Sequence, residues 1–148
     1  MNKPEYALSL FNNEYSCAQS ILVAFAQETG INDEIAFRIA AGLGGGIGRT
    51  QNICGAINAG AIVIGMKLGR FKPNNNEAED EVAQLVGTFV SECREVLGST
   101  QCFELVKVDL NNPEQKKQAA ESGHLAKVCN NAVYKTATIL EKYLDKNR

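Results

Sequence analysis

The residues of this 148-residue chain best suited to chemistry are its five cysteines, at positions 17, 54, 93, 102 and 129. A thiolate attacks disulfides and ligates metals, so the question is which of them can lose a proton. No two stand at a C-x-x-C spacing, which removes the zinc-ribbon and thioredoxin signatures. Any joint site must therefore be assembled by the fold. Three cysteines fall at expected helix starts. Cys17 takes the first helical position after Ser16, Cys54 the first turn of an apolar helix with Asn52 as its cap, and Cys102 the first turn after Ser99-Thr100. Unpaired N–H groups and the helix dipole favour thiolate there. Cys93 and Cys129 lie within helices on apolar stripes, the pattern of a small buried hydrophobe. The single histidine, His124, is five residues before Cys129 and does not share its face; it reads as a surface residue at a helix start. No Ser-His-Asp or Cys-His set can be assembled.

The glycines concentrate beside these thiols. Nine of 13 lie between Gly42 and Gly69, and the run Gly42-Leu43-Gly44-Gly45-Gly46-Ile47-Gly48 leads toward Cys54. A phosphate loop matches only weakly, because the register fails. The first glycine of G-x-x-x-x-G-K-[ST] would fall on Leu43, and Arg49 stands in place of lysine. The dinucleotide fingerprint fails too, because Ile47 occupies its last glycine position and a helix precedes it. Consecutive glycines do form nests of backbone N–H groups that receive anionic centres, iron–sulfur sites included. Gly44, Gly45, Gly46 and Gly55 are accordingly the expected cofactor-approach positions.

The elements that must position these residues are helical. Tyr6 to Phe11 forms a short first helix. Ser16-Cys17-Ala18-Gln19 is a capping box that opens a second, with Ile21, Leu22 and Phe25 inward and Gly30 closing it. A third runs from Asp33 to Leu43 with Ile35, Ala36, Ile39 and Ala40 inward. The fourth, Ile53 to Lys67, is apolar on nearly all sides and reads as a buried central helix. Its Ala56 and Gly60 permit close approach by another helix or a ligand, or by a second subunit in a homodimer. Residues 67–76, with Pro73 and three asparagines, form a loop. Glu77 to Leu97 is long and amphipathic, Pro113 opens a solvated helix, and His124 to Tyr143 closes the chain. The expectation is an all-α, single-domain helical bundle of five to seven helices, with the glycine-rich loop before the buried central helix.

Composition narrows the function. Lys+Arg number 15 against 17 Asp+Glu, a net −2, which lacks the cationic excess of a nucleic-acid binder. The longest nearly uncharged run, Thr50 to Met66, carries Gln51, Asn52 and Asn58 and is no convincing membrane span. The start Met1-Asn2-Lys3-Pro4-Glu5 has no apolar signal core, so the expectation is the cytoplasm, where lasting disulfides are disfavoured.

Several blocks in order resemble the C_GCAxxG_C_C family of redox-active proteins. Asn13-Glu14-Tyr15-Ser16-Cys17-Ala18-Gln19 resembles its first Cys-Ala-Gln block, and Arg38 to Gly48 its glycine loop. Cys54-Gly55-Ala56 resembles the start of its Cys-Gly-Ala-x-x-Gly motif, Gly98 to Leu105 its Gly-Ser-x-x-Cys-x-x-Leu block, and Cys129 matches the final cysteine. The motif's closing glycine falls on Ala59, with Gly60 one residue late, and Cys93 has no place in the pattern. The resemblance implies that Cys17, Cys54, Cys102 and Cys129 serve redox chemistry together with a redox partner protein. A related domain in split-Soret cytochromes holds an iron–sulfur centre through cysteines. Four thiolates match the usual cluster ligand count, so an iron–sulfur cluster for electron transfer is the leading expectation. A metal-free thiol–disulfide pair, a closed zinc site and a scaffold with structural cysteines remain the alternatives.

Overall fold

The computed structural model describes residues 1–70 and 73–147. Among them the fold is all-α, with nine helices and no strand. These are α1 (Lys3–Phe11), α2 (Cys17–Ala24), α3 (Ala26–Thr29), α4 (Asp33–Ala40), α5 (Gly55–Leu68), α6 (Asn76–Leu97), α7 (Cys102–Val106), α8 (Pro113–Glu121) and α9 (His124–Lys146). The number exceeds five to seven for two reasons. The helix expected from Cys17 to Gly30 breaks at Phe25 (φ −104°, ψ 18°), and the turn around Cys102 closes as a short helix of its own. The loop expected over 67–76 takes in Phe71 and Lys72, which lie outside the described residues.

Helix α2 is the hub. It packs on α1, α4 and α5, while α9 lies along α1, α5 and α6. Ile21 and Leu22 from α2, Phe25 at the break that follows it, Ile57 and Ile64 from α5, Phe89 from α6, and Leu140 and Leu144 from α9 are fully buried at the centre. Burying each of these side chains is worth about 1.5–3 kcal/mol, so this cluster dominates the cohesion of the bundle. The buried α5 matches its all-round apolar sequence: Gly55, Ala56, Ile57, Ala59, Gly60, Val63 and Ile64 are all covered. An ideal Cβ on Gly60 would meet Phe89 Cζ at 2.5 Å, so the small stripe admits another helix of this chain, α6.

Two expectations change. Helix α4 docks through the narrow Ala36/Ala40 seam, which leaves Ile35, Phe37 and Ile39 each more than 40 % exposed. Asn52 does not cap α5. Its amide donates to Thr50 Oγ1 at 3.0 Å, and Cys54 itself is the N-cap, with an extended ψ of 133° and no side-chain cap bond. No helix among the described residues is long and apolar enough to cross a membrane.

Candidate functional site

Four segments distant in sequence meet around one cavity. The first is the start of α2. Ser16 Oγ accepts from the Gln19 N–H at 3.2 Å and Gln19 Oε1 accepts from the Ser16 N–H at 3.0 Å, the reciprocal capping box expected there. It fixes Cys17 at the first helical position. The Gln19 side chain then donates to the Phe37 carbonyl at 3.2 Å and ties this end to α4.

The second segment is the glycine loop. Gly45, Gly46, Ile47, Gly48, Arg49 and Gln51 all take left-handed φ between 58° and 68°. The loop bonds to itself: the N–H groups of Ile47, Gly48, Arg49, Gln51 and Asn52 donate to the carbonyls of Leu43, Gly42, Gly44, Gly45 and Gly46. These bonds fix the loop, and the N–H groups of Gly44, Gly45 and Gly46 are not among their donors. Gly44 and Gly45 line the cavity, whereas Gly46 lies buried against the Asn52 backbone, where an added Cβ would fall 2.6 Å from nitrogen. Gly55 also lines the cavity, and its missing side chain leaves room for the Cys17 sulfur.

The third segment is held by a pairing that no hairpin pattern announces. Ile53 and Gln101 form an isolated antiparallel bridge. Beside it Cys54 N–H donates to Thr100 O at 2.8 Å, and Cys102 N–H to Asn52 O at 2.7 Å. This short ladder sets the starts of α5 and α7 side by side, and with them Cys54 and Cys102. Gln51 locks the same region. Its buried amide donates to Val108 O at 2.8 Å and accepts from Leu110 N–H at 2.9 Å.

The fourth segment is the first half of α9. Leu125, Val128, Cys129 and Ala132, spaced at i, i+3, i+4 and i+7, line the cavity. Beyond Ala132 the same stripe enters the core through Val133, Thr136, Ala137 and Leu140. His124 is exposed, and its Nε2 lies 2.8 Å from Val106 O, which joins α9 to the end of α7.

Cys17, Cys54, Cys102 and Cys129 all line this cavity of about 440 Å³. Cys93 does not. It is fully buried on α6, and burial, with Glu92 nearby, pushes its thiol up to about 12. The four lining thiols are electrostatically unequal. The Cys54 thiol donates to the Cys17 sulfur, and backbone N–H groups of Gly45, Ala18 and Ala56 point at the same atom. These donors outweigh burial and hold Cys17 down to about 6, so two helix starts and the glycine loop stabilise one thiolate. Cys54, donating to that thiolate and buried, is pushed well above the ordinary thiol range. Burial and the Cys17 charge push Cys102 up to about 11. Burial and the charges of Cys17 and Cys102 push Cys129 up to about 12.

The expectation that helix starts would favour thiolate at all three of Cys17, Cys54 and Cys102 therefore holds only for Cys17. One negative charge among close, buried thiols disfavours a second, and Cys17 has the larger set of donors. All five thiols are free. Among the described residues, no group of three or more Cys, His, Asp or Glu side chains is placed to hold a metal ion. Sequence reasoning missed Arg49, Lys116 and Gln51 as residues of this region. Arg49 directly after the glycine run was the one visible signal; Lys116 sits in a charged segment that reads as solvated.

A family model described as "Putative redox-active protein (C_GCAxxG_C_C)" matches residues 15–143. The chain belongs to the C_GCAxxG_C_C family. That match spans all four lining cysteines and the loop between them, and it carries the family's redox-active description to this chain. No curated protein and no solved structure matches. Where this chain departs from the C_GCAxxG_C_C pattern, Ala59 is buried in the core and Gly60 meets Phe89, so the end of that motif serves helix packing and not the cavity.

Proposed function

We propose that this C_GCAxxG_C_C protein is a thiol–disulfide redox protein in which Cys17 is the nucleophile and Cys54 the resolving thiol. The feature that carries this reading is that Cys17 and Cys54 line one cavity and act directly on each other, Cys17 held low and Cys54 raised. This sets a thiolate formed near neutral pH beside a thiol that keeps its proton. Disulfide formation requires the two sulfurs to close to about 2 Å.

The Cys17 thiolate attacks one sulfur of a substrate disulfide and forms a mixed disulfide, releasing one substrate thiolate. Cys54 passes its proton to a released thiolate and attacks the Cys17 sulfur. The second substrate thiolate leaves, and a Cys17–Cys54 disulfide remains. Two electrons and the one proton of Cys54 have then moved from the protein to the substrate, which leaves as one thiol and one thiolate. A dithiol partner restores the pair by the reverse exchange. Cys102 and Cys129, held protonated in the cavity wall, take no part in the first attack.

Differential alkylation with mass spectrometry tests the reading. Treatment with an aromatic disulfide should remove Cys17 and Cys54 together from the free-thiol pool and yield their cross-linked peptides. Replacing Cys17 by Ser should abolish both changes. Five thiols still free in the treated wild type would overturn it.

A second reading is an iron–sulfur cluster, and the cavity common to all four cysteines favours it. Cys17, Cys54, Cys102 and Cys129 would be its ligands, and it would supply one-electron transfer. The four side chains as they stand do not form a group able to hold a metal ion, which places this reading, and zinc with it, second. Protein purified without oxygen should contain iron and acid-labile sulfide under the cluster reading, and zinc alone under the zinc reading. Colourless, metal-free protein from that preparation would exclude both.

A further inference from the structure

The cavity around Cys17 carries a charge pattern that the cysteines do not explain. Its volume, about 440 Å³, is that of a small-molecule site. Phe11, Leu105, Leu110, Leu125 and Val128 give it apolar walls. Two cations, Arg49 and Lys116, also line it, and no lining residue is acidic. Among the described residues the ion pairs engage Lys3, Arg38, Lys67, Arg70 and Lys117, and neither Arg49 nor Lys116. Nor does either cation act among the groups that hold Cys17 as thiolate. Among the described residues, the positive charge facing this cavity thus has no carboxylate partner.

Arg49 is built into its place. Its backbone is left-handed (φ 61°), its N–H donates to Gly44 O at 3.2 Å, and its carbonyl accepts from Asn111 Nδ2 at 2.8 Å. Its side chain crosses Gly45, where an added Cβ would fall 2.8 Å from Arg49 Cγ. Gly45 thus serves two ends at once, its N–H directed to Cys17 and its bare face covered by the arginine stem. Lys116 approaches half-buried from α8. A guanidinium and an ammonium over an apolar chamber suit an oxyanion attached to an apolar body.

We propose that this cavity binds a small organic anion, an apolar body ending in a carboxylate or similar oxyanion, with Arg49 and Lys116 on the oxyanion and the body directed to Cys17. This names the substrate class of the site proposed above, and it rests on that reading only for the sulfur chemistry: the reacting species would be an anionic disulfide, consumed as two anionic thiols. A concave chamber selects such small molecules over the flat surface of a protein disulfide.

Calorimetry on the full chain, with 2-naphthoate and its neutral analogue 2-naphthamide, tests the proposal without any thiol reaction. Wild type should bind the anion about tenfold or more tightly than the amide, the scale of a charge-assisted contact. R49Q/K116Q should lose that preference while its affinity for the amide stays the same. Bound naphthoate should also slow alkylation of Cys17 by iodoacetamide. Equal binding of anion and amide by wild type, no binding of the anion, or a preference unchanged in the variant would each overturn the proposal. If Cys17 fails to exchange with disulfides while naphthoate binds selectively, the exchange reading falls and the anion site stands. If Cys17 exchanges normally without anion preference, the reverse holds.

Discussion

Gly55 leaves the space that the Cys17 sulfur fills: a Cβ at residue 55 would lie 2.7 Å from Sγ and 2.7 Å from the Leu43 carbonyl oxygen. That close approach brings the start of α5 onto the start of α2, so that the Ala56 N–H reaches the sulfur. The second residue of the Cys-Gly-Ala block is thus a glycine for a stated reason, and the contact makes a prediction.

Gly55→Ala forces the sulfur or the loop carbonyl to move, at a cost of about 1–3 kcal/mol for an overpacked site. It should also raise the pH at which Cys17 becomes reactive. Gly60→Ala, which drives a methyl against the Phe89 ring at 2.5 Å, should cost a similar amount and leave Cys17 unchanged. Urea unfolding with alkylation rates measures both quantities on each variant. Equal effects of the two substitutions on Cys17 would refute the assignment of Gly55 to the sulfur.

The rate of Cys17 alkylation should rise through a pH of about 6 and level off above it, because the thiolate is the reacting form. Cys54→Ala removes the first of its donors, so the inflection should move up toward the unperturbed value of 9.0. The linked effect on stability has a definite sign. A folded pKa depressed from 9.0 to about 6 gives stability that is full above 9.0 and lost as pH falls through 6. The advantage of wild type over Cys17→Ala should therefore grow with pH across that window. Cys54, displaced upward, opposes it above 9.0. An advantage that shrinks between these limits would contradict the assignment.

Gln51→Ala should destabilise the α7–α8 side of the cavity. It leaves Val108 O and Leu110 N–H without their partner, at about 1–3 kcal/mol for the buried groups. Residue 51 also holds a left-handed φ of 59°, which alanine adopts poorly. Amide hydrogen exchange at Leu110 reports the loss directly. Unchanged protection there would show that the Gln51 bonds do not hold the segment.

Cys93→Ala should lower stability by about 1 kcal/mol, the usual scale for a modest core truncation. Disulfide exchange and the pH profile of Cys17 should not change, because Cys93 is fully buried on α6 and does not line the cavity. A loss of exchange in a stably folded variant would move Cys93 into the redox set.

Local rules account for much of this protein. The capping box at Ser16, the glycine stop after Leu97, the all-round apolar α5 and the helical stripe of α9 are short-range patterns, set by capping bonds and by periodic burial. They make the all-α fold readable and put Cys17 correctly at its helix start. They do not separate Cys93 from Cys129, since both lie on apolar stripes; the family pattern made that division.

Other features depend on contacts between residues far apart in the chain. The Ile53–Gln101 bridge that joins Cys54 to Cys102 spans segments with no strand pattern, since two backbone bonds need no side-chain alternation. The closure of the glycine loop onto its own carbonyls depends on six left-handed residues, three of which are not glycine. Most decisively, a helix start is a local property, but a thiol's pKa sums all donors and charges around its sulfur. Composition and order in the chain supplied the candidates Cys17, Cys54, Cys102 and Cys129. Only the tertiary structure decided that N–H groups from α2, α5 and the loop meet on Cys17, so that one of the four carries the charge and the others carry protons.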